Sequence, residues 1–212
     1  MIVVGGTYTE TVLYPTLASS LVGSGLRAAV ALGGATEKLV TVATSAEAEQ
    51  ITSIVDDGTS VVVVGRENPV EFRYLDPLLR PQVWGLPAEP VPTLDCTFPE
   101  HDVLAFGLIE LPSGYPVTAR RVVLDPQSPQ SASAAILENV DAEKIAICAN
   151  RGEARRMTGC DSPLEAAARL LEAPGVEGVL VKCGALGYVA ADHDAITWAH
   201  ATPTLSVRTL GS

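Results

Sequence analysis

Short apolar runs that alternate with helical stretches, most of them closed by glycine, constrain this chain more than any other feature. Ile2–Val4 runs into Gly5-Gly6, the pattern of a buried strand entering a turn. A looser β-branched alternation from Thr7 to Leu13 predicts a second, more exposed strand. An alanine-rich helix is predicted from Leu26 to Leu32, closed by Gly33-Gly34. Lys38 to Ala43 reads as a strand, Ser45 as an N-cap, Ala46 to Val55 as a helix and Val61–Val64 as a buried strand.

Between Asn68 and Glu100 the texture changes. Pro69, Pro77, Pro81, Pro87, Pro90, Pro92 and Pro99 exclude a long helix there, while Val70 to Tyr74 alternates as an edge strand would. Regularity returns with predicted strands over Val103–Leu108 and Arg121–Leu124, then a helix from Ser131 to Asn139 and a strand over Ile145–Cys148. A short helix from Gly152 to Met157 closes at Gly159, and an amphipathic one from Pro163 to Leu171 follows an Asp161-Ser162 cap. Gly178–Lys182 reads as a buried strand and Tyr188–Ala191 with Ala195–Trp198 as a hairpin. Strands and helices alternating at this spacing predict one α/β domain with a mostly parallel sheet and helices on both faces.

Charge narrows the function. With a net charge of -11 and a pI near 4.6, the chain lacks the basic footprint of a nucleic-acid binder. An anionic ligand would have to be held locally, by backbone N–H groups, a metal and a few basic side chains. Cys96, Cys148, Cys160 and Cys183 form no C-x-x-C, and His101, His193 and His200 no cluster, so free thiols and no zinc site are expected. No apolar run reaches membrane-spanning length, and Met1–Gly6 lacks the basic start of a signal peptide. The expectation is a soluble, cytoplasmic protein with no membrane partner.

In open parallel sheets ligands bind beyond the carboxyl ends of the strands, and three motifs stand there. Asn150 and Glu153 follow the predicted strand Ile145–Cys148, spaced so that a helix start can point both into one crevice. Glu153 suits a water-mediated Mg2+ and Asn150 a phosphate oxygen; the same glutamate also reads as a first-turn acid favoured by the helix dipole. Gly184 and Gly187 follow the strand ending at Lys182 and allow close backbone approach to a phosphate, or simply a tight turn. Thr209-Leu210-Gly211-Ser212 can begin a glycine-rich anion hole at a helix N-terminus.

In this order, with Asp125-Pro126-Gln127 before them, these segments resemble the ATP-side signatures of the ribokinase-like (PfkB) family of small-molecule kinases. The resemblance is best from Val103 to Ser212 and looser before that. It implies a three-layer α/β/α fold with a small β lid over about residues 7–21 and 67–79. It implies ATP and Mg2+ as cofactors and phosphoryl transfer to a hydroxyl of a sugar-like or nucleoside-like acceptor. Asn150 and Glu153 would serve magnesium and phosphates, and Lys182, Gly184, Gly187 and Thr209 the nucleotide. Gly211 and Ser212 would open the Gly-x-Gly-Asp anion hole, whose aspartate base is expected beyond Ser212. Asp125 resembles the aspartate of the acceptor crevice, and Gly23, Gly25 and Arg27 the glycine-rich acceptor segment, with Glu10 near the place of an acceptor-gripping aspartate.

The departures carry information too. Arg27 stands where the family usually has asparagine, which suits an acceptor bearing a carboxylate or phosphate. Arg208 stands where many members place a potassium-binding aspartate, so weak or no potassium activation is expected. The family also allows a homodimer through lid strands. A non-catalytic relative that binds nucleotide or a small molecule stays open as the alternative. A nicotinamide-binding Rossmann enzyme does not fit, because no G-x-G-x-x-G follows the first strand.

Overall fold

The structure, a computed structural model, describes residues 1–76, 80–87, 94–127 and 134–202. Two compact units divide it, Met1–Thr93 and Leu94–Thr204.

In the first unit β1 (Ile2–Val4), β4 (Lys38–Ala43) and β5 (Ser60–Gly65) pair in parallel, β4 in the middle. Val3, Val4, Leu39 and Val42 are wholly buried, as the near-continuous apolar runs of a parallel sheet require. Helices α1 (Ser24–Leu32) and α2 (Ser45–Ile54) return the chain between these strands. A second sheet, in the order β3-β2-β6-β7, joins β2 (Tyr8–Val12), β3 (Ala18–Val22), β6 (Glu71–Tyr74) and β7 (Gln82–Trp84).

The second unit carries β8 (Thr97–Phe106), β9 (Val117–Asp125), β10 (Val140–Asn150) and β11 (Val176–Lys182) in parallel. An antiparallel hairpin of β12 (Tyr188–Asp192) and β13 (Ile196–Ala199) continues the sheet beyond β11. Helices α3 (Arg151–Thr158) and α4 (Pro163–Leu171) pack on each other, burying Ala154, Met157, Ala166, Ala167 and Leu170. Gly159, at φ 77°, ends α3 in the left-handed conformation that glycine adopts freely.

Several local expectations are corrected. The cap of α2 is Thr44, not Ser45, because Thr44 accepts the amide of Glu47 while Glu47 returns the bond. Val70–Tyr74 does not form an edge: β6 lies between β2 and β7. β3 and β7 were not foreseen as strands, since Ala18–Ser20 is small and exposed with only Leu21 and Val22 half-buried, and Gln82–Trp84 sits among prolines. β8 starts six residues before Val103 and accommodates Pro99 in a register shift between Phe98 and Asp102, the kind of irregularity where a missing N–H is tolerated. Of the predicted helix from Ser131 to Asn139, residues 131–133 lie outside the described residues, and Ala134–Asn139 is a 3-10 helix.

Candidate functional site

Three adjacent parallel strands of the second unit end on chemically useful residues: Asp125 on β9, Asn150 on β10 and Lys182 on β11. Asn150 pairs in register with Lys182. The chain then turns into α3, which puts Glu153 in the first turn of the helix. Asn150 Oδ1 accepts the Glu153 amide at 2.9 Å, and Glu153 Oε2 accepts the Asn150 amide at 2.8 Å. The motif is a capping box, and it stands at the carboxyl edge of the sheet.

Lys182 Nζ donates to Asp125 Oδ2 at 2.7 Å across the intervening strand. Asp125 and Glu153 are both buried. Burial pushes the Asp125 carboxyl up, against the hydrogen bond and charge of Lys182 and a weaker pull from Gln127. Its Oδ1 is buried with no hydrogen-bond partner among the described residues. Burial also raises Glu153, opposed by the Asn150 amide and reinforced by the charge of Asp125. Burial alone would lower Lys182, but Asp125, with Cys148 and Glu153, outweighs it and holds the ammonium above its ordinary value. Lys182 thus stays charged beside two buried acids. The thiol of Cys148 lies in the same field and is raised by burial.

Beside this cluster lies an open groove of about 470 Å³ lined by Leu180, Lys182, Gly184, Gly187, Tyr188 and Ala201. The two glycines differ. A Cβ on Gly187, at φ 102°, would strike the backbone of Ala199–Ala201, so this glycine is required by chain packing. Gly184, at φ 59°, faces open space.

Glu10, Arg27, Gly23 and Gly25 belong to the first unit. Glu10 is buried and pairs with Arg27 Nη2 at 3.1 Å, so the arginine already has a carboxylate partner within the protein. Tyr74, unforeseen from the sequence, shares their field: burial and the Glu10 charge push its phenol up to about 12 against the opposing charge of Arg27. A Cβ on Gly25 would strike Gly5 backbone, and one on Gly23 would strike Gly6, so both let α1 start hard against the β1–β2 turn. Thr209, Gly211 and Ser212, with Arg208, lie outside the described residues.

No protein-family model matches the sequence, and no curated protein does. Solved structures do. Ribokinase from Thermotoga maritima superposes with a TM-score of 0.65 at 16% identity, over 97% of this chain and 79% of that one. Phosphofructokinase-2 from Escherichia coli, in complex with fructose-6-phosphate, gives 0.60 at 15% identity, over 96% and 80%. A pyrophosphate-dependent kinase in the ribokinase family, bound to a pyrophosphate analog and myo-inositol, gives 0.61 at 18% identity, over 94% and 78%. The fold is ribokinase-like: a mostly parallel sheet with helices, and a second small sheet. Among the described residues no helix is long and apolar enough to cross a membrane.

Proposed function

We propose that the protein is an ATP-dependent, Mg2+-requiring kinase that phosphorylates a hydroxyl of a sugar-like or nucleoside-like small molecule. The observation that carries this reading is the convergence of Asp125, Asn150, Glu153 and Lys182 at the carboxyl edge of β9, β10 and β11, beside a groove with room for a nucleotide. Phosphoryl transfer asks the protein mainly for positioning and charge stabilisation, which a lysine between buried acids can supply.

The residues suit magnesium in its usual form, held by one or two carboxylates and otherwise by water and phosphate. Among the described residues no group of three or more His, Cys, Asp or Glu could grip a metal outright. The unpartnered Oδ1 of Asp125 and the nearby Glu153 are buried acid groups with charge to share. Glu153 would hold the ion through water, with Asn150 beside it; the carbonyl of Asn150 is already engaged in the cap. When bound, magnesium would neutralise phosphate oxygens. Lys182 orients the phosphate chain, and the buried Glu10 with Arg27 offers an acceptor and a donor to sugar hydroxyls.

The small sheet fits the role of a lid over the acceptor. Exposed Leu13, Tyr14, Leu17 and Trp84 on or beside it support a homodimer through this sheet. The test is ADP release from Mg·ATP across a panel of sugars, polyols and nucleosides, alongside calorimetric binding of Mg·ATP. Acceptor-dependent ADP release is expected of protein that carries the aspartate base placed beyond Ser212. Tight Mg·ATP binding with no turnover on any acceptor would favour the non-catalytic relative instead, and no binding would overturn both.

A further inference from the structure

Resting on the kinase reading above, we propose that Asp125 is a positioning residue that holds the ammonium of Lys182 at the edge of the groove, already oriented for the phosphate chain of the nucleotide. The two residues end β9 and β11, which are separated by β10. Neighbouring strands lie roughly 4.8 Å apart, so these side chains bridge about twice that distance by leaning across the strand between them. They nevertheless meet at 2.7 Å.

The pair is asymmetric. The Asp125 side chain is 9% exposed and that of Lys182 41%, so a fixed carboxylate anchors a cation that faces outward. Lys182 also lines the groove, whereas Asp125 does not. An ammonium has three donors. One is spent on Asp125, and the structure gives the others no partner among the described residues. A four-carbon stem loses rotamer freedom when it is ordered; here the ordering precedes the ligand. Asp125 thus acts through Lys182 and need not touch the nucleotide.

Asp125→Asn keeps the shape and one acceptor, Asp125→Ala removes both anchor and charge, and Lys182→Ala removes the cation. The first readout needs no ligand: the rate at which acetic anhydride acylates Lys182, followed by peptide mass spectrometry. Freed from its carboxylate, the amine of Asp125→Ala should react faster, because Asp125 favours the unreactive ammonium. An unchanged rate would overturn the proposal. The second is calorimetric affinity for Mg·ATP, with adenosine as the phosphate-free control. Asp125→Ala should weaken Mg·ATP about tenfold, the scale of one charge-assisted hydrogen bond, and leave adenosine unchanged. The double variant should bind no more weakly than Lys182→Ala. Asp125→Asn, which should also fold if the alanine variant does not, should stay within about threefold of the wild type.

Tighter Mg·ATP binding in either Asp125 variant would mean that the carboxylate competes with phosphate, and would overturn the proposal. So would additive losses in the double variant. If the wild type binds neither Mg·ATP nor adenosine, the kinase reading fails by itself, and the acylation rates still decide whether Asp125 holds Lys182.

Discussion

Two helices in this protein start with the same device in different surroundings. After β4, Glu47 donates its amide to Thr44 at 3.2 Å and accepts the amide of Thr44 at 2.7 Å. After β10, Glu153 and Asn150 exchange the same bonds at 2.9 and 2.8 Å. Both glutamates are buried, at 5% and 4% exposure. Glu47 meets Arg66, whose Nη2 donates to both of its oxygens at 2.9 Å and to the Thr7 carbonyl at 2.7 Å. Arg66 Nη1 reaches the Val42 carbonyl, and the ring of Tyr8 faces the guanidinium at 5.4 Å. Glu153 instead feels a second acid, Asp125, with Lys182 and Arg156 as the opposing charges. A capping box is indifferent to function. A closed ion pair makes it structural, whereas an acid-rich cluster beside a groove leaves charge for a ligand.

The largest effect that tests this contrast is Glu47→Gln. Breaking a buried pair strands the partner's charge, so we expect a loss of roughly 3–5 kcal/mol in chemical denaturation. A loss below about 1 kcal/mol would mean that Arg66 does not depend on Glu47. Removing both charges, as Glu47→Gln with Arg66→Met, should recover most of that loss, since apolar replacements of buried pairs are often neutral. The same denaturation series measures it.

Next come the caps. Thr44→Ala and Asn150→Ala should each cost about 1 kcal/mol, because each removes one N-cap acceptor. Matching losses with Mg·ATP affinity reduced only by Asn150→Ala would place the second cap at a ligand site. Equal affinities for both variants would remove Asn150 from it.

The smallest effect is Glu153→Gln, which keeps the capping geometry and strands no cation; a change within about 1 kcal/mol at neutral pH is expected. Its pH dependence is more telling. The folded pKa of Glu153 is raised, so its contribution is fully present below the unfolded value and is lost as pH rises through the folded one. Glutamine does not titrate. The difference in stability should therefore move in favour of Glu153→Gln as pH rises from about 4 to about 7. A difference that is flat with pH would show that burial does not disfavour this carboxylate.

The α/β alternation was readable from apolar runs and glycine stops, and β4 and α4 fall where the pattern puts them. Such elements are visible because their periodicity is local. β3 and β7 were not, since their pairing with β2 and β6 is decided by neighbours far along the chain. Of the site, Asn150, Glu153 and Lys182 were legible as residues that follow strands. Asp125 was legible too, but as an acceptor-side residue, while the structure sets it against Lys182. Arg27 read as suited to an anionic acceptor; its pairing with Glu10 was not legible.

What this sequence determined by itself is the alternation of apolar strands with helices, and the places where their ends carry charge. Hydrophobic period, glycine and cap residues act within a few positions and need no partner elsewhere. What only the tertiary structure decided is which charges meet: Asp125 with Lys182, Glu10 with Arg27, Glu47 with Arg66. Those pairs join residues up to 57 positions apart. Their strength depends on burial and on a separation of a few ångströms, and sheet register sets both.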